Sequence, residues 1–209
     1  MLAPDIDPAD LKGKNVSAPV AFIGHLLMGV RLDSVGVTPD DVEWVNLNAD
    51  EAAGYVYEPW SSSVQANLEG SSVATTSIEP MYLKNAMFAD SIYTSKDFIA
   101  DRRGAAVDMM RVDWDARAYW NQHVAKVNLI FSDYLQWPIE DIGWVVSSNG
   151  KEIVGGLYMY DFDEAARFCG VLDGAPPFDQ ANGGLVKTVA DINERWIKLD
   201  LMETTVDVN

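Results

Sequence analysis

The sequence predicts an α/β protein, with an α/β ligand-binding lobe over residues 1–92 and a mainly helical remainder over residues 93–209. Three observations lead there. Short apolar or alternating runs at 15–18, 42–47, 54–57 and 73–78 have the length of strands. Between the first two, residues 24–35 place Leu27, Val30 and Val35 at helical spacing, so strand and helix alternate with short connections. From about residue 105 to 135 the pattern changes to sustained helical periodicity, rich in Trp, Tyr and Met.

Each element has a local cause. The strand at 15–18 stops at Pro19, which brings no N–H to a ladder. Gly36 is placed to end the first helix. Thr38 followed by Pro39, Asp40 and Asp41 reads as a cap with proline at the first helical position. A short helix at 60–68 ends at Gly70. After a strand at Ile92 and Tyr93, Ser95 caps a turn at 96–100. Trp137-Pro138 breaks the long helical stretch, and Pro138, Ile139, Glu140 and Asp141 open a new first turn. Asn149-Gly150 and Gly155-Gly156 mark turns. Asp161, Phe162, Asp163 and Glu164 have the form of a capping box, with Glu164 reaching back to the cap. Pro176-Pro177 and Gly183-Gly184 bracket a loop before a last helix at 185–199.

Charge and composition narrow the function. The chain has 209 residues, with 32 Asp and Glu against 15 Lys and Arg, a net charge of -17. That field repels phosphate backbones, so nucleic acid is not an expected partner. No window approaches the roughly 20 apolar residues of a membrane span, so no membrane insertion is expected. The start carries neither the basic nor the apolar region of an export signal, which places the chain in the cytoplasm if Met1 is its natural start. The single cysteine, Cys169, permits no intramolecular disulfide and is expected on a buried helix face. His25 and His123 show no zinc spacing. There is no Gly-x-Ser-x-Gly, no Walker loop and no dinucleotide fingerprint, so neither an enzyme nor a cofactor is expected. Asp161, Asp163 and Glu164 form an acidic cluster that a helix cap explains better than a calcium site.

Two segments have the chemistry of a binding site. The connection Pro19, Val20, Ala21, Phe22, Ile23 and Gly24 joins a strand to a helix start, with His25 just inside. Amides there lack intrahelical partners and carry positive partial charge, so they can hold an anion without a basic side chain. An ordinary strand–helix connection has the same appearance. In Glu58-Pro59-Trp60, Trp60 offers a flat apolar wall and Glu58 an acceptor, at the strand end where open α/β sheets take ligands. Trp60 packed between helix and sheet is the alternative. The aromatic series Trp114, Tyr119, Trp120, Phe131, Tyr134 and Trp137 reads as core or interface, and Tyr158 with Tyr160 as cleft wall or edge strand.

Asp10-Leu11-Lys12-Gly13-Lys14 before a strand, the Pro19 loop, Gly36-Val37-Thr38-Pro39-Asp40-Asp41-Val42 and Glu58-Pro59-Trp60 occur here in one order. That order resembles the solute-binding proteins of ABC importers, in the nitrate/sulfonate/taurine-like group. Ser95-Lys96-Asp97-Phe98 opening a helical tail and the final helix fit the same pattern, so the likeness covers most of the chain. It implies a periplasmic-binding-protein-like lobe, a small anionic or compact polar ligand, an ABC permease as partner and a periplasmic or extracellular location. The family's N-terminal half-lobe is lacking before this point. Between Leu47 and Tyr55 only a short connection stands where the family places a helix, which would uncover a sheet face. The expectation that follows is a homodimer or a repacking of the aromatic helices. The alternative function is a truncated interaction protein derived from such a binding protein, without a transport role.

Overall fold

The computed structural model describes residues 6–19, 23–46, 79–87, 89–146 and 158–205. These are 59% helix and 5% strand, and their strands form a single two-stranded parallel sheet. The expected α/β periplasmic-binding-protein-like lobe is therefore corrected: the described protein is predominantly helical. The strands expected at 54–57 and 73–78 and the helix at 60–68 lie outside the described residues. Ile92 and Tyr93, expected as a strand, are irregular and 60% and 90% exposed. Two residues of high strand preference form no strand without a neighbouring ladder to bond.

The chain divides into two compact units, Met1–Phe88 with Gly184–Asn209, and Ala89–Gly183. In the first, strand β1 (Asn15–Ala18) leads into helix α1 (Ile23–Ser34), and strand β2 (Glu43–Asn46) returns parallel to β1. The register runs from Asn15 opposite Glu43 to Ala18 opposite Asn46. Gly36 ends α1 in the left-handed conformation (φ 78°), and the Val37 N–H reaches back to the Leu32 carbonyl. Thr38 and Asp41 then organise a turn at Pro39–Asp41, where the Asp41 carboxylate accepts from the Thr38 N–H and hydroxyl, both at 3.0 Å. Lys12 donates to the same carboxylate at 2.7 Å. The Lys12 bond, followed by the two from Thr38, holds the Asp41 pKa down at about 2.

Helix α1 is buried along one continuous run, Gly24 to Val30, because it is covered on more than one side. Met28 and Leu32 join Leu11, Val16, Val37 and Val42 in one cluster, while Leu27 and Val30 join Tyr82 and Met87 in another. Tyr82 lies in helix α2 (Pro80–Leu83), and its hydroxyl donates to the Leu27 carbonyl. The last helix of this unit (α7, Leu185–Lys198) is tied to α1 by the Arg195–Asp33 ion pair at 3.0 Å, and its Thr188 hydroxyl donates to the Asn85 carbonyl.

In the second unit, helix α3 (Lys96–Gln122) starts at Ser95, whose hydroxyl accepts from the Phe98 N–H at 3.1 Å. It is kinked at Arg102 (φ -135°, ψ 40°), where the sequence separates a short first turn from the helical stretch after Ala105. His123 leaves helical geometry in the same way and starts helix α4 (Val124–Leu135). Gln136 closes α4 in the left-handed conformation, and Pro138 keeps the chain from continuing it before helix α5 (Ile139–Val146). Trp120 is buried between α3 and α4: its indole donates to Asn128 at 2.9 Å and its ring meets Phe131 edge-on.

Helix α6 (Phe162–Phe168) carries the expected capping box, since Asp161 accepts from the Glu164 N–H and Glu164 accepts from the Asp161 N–H. Cys169 is exposed, not buried as expected. Ala166 and Phe168 take the inner side of α6, and Cys169 follows as the helix terminus on the outer side.

Candidate functional site

Parallel pairing sends the C-terminal ends of β1 and β2 to the same edge. Pro19 leaves β1 there, half-buried, and α1 opens four residues later. A connection that short keeps the start of the helix near the strand edge where parallel sheets take ligands. Ile23 stands partly exposed as the first helical residue, and Gly24 is buried. Val20, Ala21, Phe22, Glu58 and Trp60 lie outside the described residues. Of the expected site, Pro19 stands at the end of β1, and Ile23, Gly24 and His25 form the first turn of α1.

His25 is only 3% exposed, and its ring lies 4.1 Å from that of Trp44 at an interplanar angle of 58°. Trp44 is itself fixed, because its indole donates to the Pro39 carbonyl at 3.1 Å. Burial lowers the His25 pKa from its ordinary 6.5, since a charged imidazole loses hydration there. The ring is therefore mainly neutral at neutral pH, able to donate from one nitrogen and accept at the other. Sequence reasoning missed Trp44 as part of this setting. Its position in a strand that alternates was legible, but its contact with His25 follows from the parallel return of β2.

A shallow depression along α1, bounded by Leu26, Gly29, Asp33, Pro39, Arg195 and Lys198, encloses about 10 Å³. That is room for about one water. Of its charged side chains, Arg195 is paired with Asp33, and Lys198 also borders it. Tyr158 and Tyr160, expected as cleft wall or edge strand, instead belong to an aromatic group with Phe168 and Phe178. Their hydroxyls donate to Glu164 at 2.8 Å and Gln180 at 2.5 Å. Burial, and for Tyr158 also the Glu164 carboxylate, pushes both phenols above their ordinary pKa, so they act as neutral donors. Their rings meet edge to face and fill the space between them.

Among the described residues no group of three His, Cys, Asp or Glu side chains is placed to hold a metal. Among them, too, no helix is long and apolar enough to cross a membrane. No protein-family model matches the chain, and neither a curated protein nor a solved structure matches it significantly.

Proposed function

We propose that this chain is a non-catalytic binding module for a small anion or a compact polar organic solute. The observation that carries the reading is the β1–α1–β2 arrangement, in which four residues connect β1 to α1 and the neutral imidazole of His25 in the first turn of α1 lies against Trp44 of β2. Backbone donors at a helix start suit a carboxylate, sulfonate or nitrate in a protein whose net charge of -17 would otherwise repel it. The order of the motifs from Asp10 to Val42, which resembles that of ABC-importer solute-binding proteins, suggests the same ligand class.

Thermal-shift measurements with a panel of carboxylates, sulfonates, nitrate and amino acids test this reading. At least one member should raise the melting temperature, and His25→Phe should abolish that rise while keeping the ring contact with Trp44. No shift with any member, together with no small molecule retained through purification by mass spectrometry, overturns it.

The second reading is an interaction protein without a transport role. Apolar side chains held in solvent favour it, among them Leu129 at 60% and Tyr134 at 84% exposure on α4.

A further inference from the structure

The helical part of α3 beyond its kink presents two faces with different fates. Trp114, Arg117 and Trp120 face inward: Trp114 meets Phe162 edge-on, Arg117 lies over Trp114 and bonds Asp113, and Trp120 bonds Asn128. About a third of a turn round the helix, Ala105, Met109, Val112, Ala116 and Tyr119 follow one another at alternating spacings of four and three residues. All five are exposed, with Met109 at 61%, Val112 at 67% and Tyr119 at 42%. This is the spacing of a coiled-coil seam, and the two alanines leave room for a second helix axis to come close.

The flanks of the seam are acidic. Asp108 and Asp115, seven residues apart, line its outer side, while Asp113 on the inner side is paired with Arg117. Arg111 pairs with Asp108 at 3.2 Å, but it stands one step further from the seam, and both side chains are more than 70% exposed. Such a pair neutralises little. Lys126 donates to the Tyr119 hydroxyl at 2.9 Å and closes the seam's C-terminal end. Two copies laid seam to seam and antiparallel would set Asp108 and Asp115 against their counterparts in a chain that already carries -17.

We propose that this seam docks a basic amphipathic helix of another protein, its apolar side on Met109, Val112 and Tyr119 and its Lys or Arg side chains along Asp108 and Asp115. The inference stands independently of the solute site, which lies in the other unit.

The test uses the full chain and two synthetic helical peptides with the same leucine seam, one flanked by lysines and one by glutamates, read by fluorescence anisotropy. The lysine peptide should bind at least about tenfold more tightly than its twin and weaken as salt is raised. Met109→Asp and Val112→Asp should each weaken it about tenfold or more, with unchanged circular dichroism and melting, because both side chains are exposed. Equal binding of the two peptides, or binding of neither, overturns the proposal. So does a dimer, seen by sedimentation, that Val112→Asp dissolves, because it gives the seam to a second copy of the chain.

Discussion

The two units bury their apolar residues differently. Around α1, side chains from residues as distant as Leu11, Val42, Tyr82 and Met87 close over the helix from separate directions, leaving Leu32 and Tyr82 wholly buried. In the Ala89–Gly183 unit, α3 and α4 share one buried indole, and Met109, Val112, Leu129 and Ile130 remain in solvent. The contrast shows that apolar content does not make a core. Burial requires partners from several parts of the chain, and among the described residues α3 receives contacts on one side only.

The sharpest way to probe this contrast is Leu32→Ala. Removing a side chain with 0% exposure should cost about 3 kcal/mol in chemical denaturation. A loss under about 1 kcal/mol would mean that the α1 core is no tighter than the other unit. Next comes Asn128→Ala, which strands the buried Trp120 N–H and should cost about 2 kcal/mol. A larger loss there than at Leu32 would reverse the ranking of the two units. Asp161→Ala removes the cap of α6 and should cost about 1 kcal/mol, with Asp161→Asn restoring most of it. The smallest effect belongs to Val112→Ser, expected within about 0.5 kcal/mol of the parent, since its side chain is already in water.

Acidification supplies a direction to set beside these magnitudes. The folded His25 pKa lies below its ordinary 6.5, so the unfolded chain binds the proton more readily. The stability tied to neutral His25 is complete above about 6.5 and is lost as the pH falls from there through the lower folded value. Melting temperatures across that range should decline more steeply for the parent than for His25→Phe.

What was readable beforehand was mostly local. Thr38-Pro39-Asp40-Asp41, Ser95, Asp161 with Glu164, Gly36 and Trp137-Pro138 each act within about four residues, and each marks an element boundary in the structure. The strands at Asn15–Ala18 and Glu43–Asn46 and the helix at Leu185–Lys198 follow equally well from periodicity. Among the described residues the larger sheet did not follow. A run of strand-forming residues such as Ile92-Tyr93 says nothing about whether a neighbour is present to pair with it. At the candidate site, Ile23, Gly24 and His25 were recognisable as a helix start, whereas the Trp44 ring against His25 was not, since 19 positions of chain separate them.

The sequence by itself determined the caps, the breaks, the acidic field and the existence of the helices. All of these arise from forces acting along neighbouring residues or from composition alone. Only the tertiary structure decided that α1 is enclosed while one face of α3 stays open, that Tyr82 reaches Leu27, and that Arg195 meets Asp33 across 162 positions. Those outcomes depend on which distant segments meet, and the loop entropy of bringing them together is not written in any local pattern.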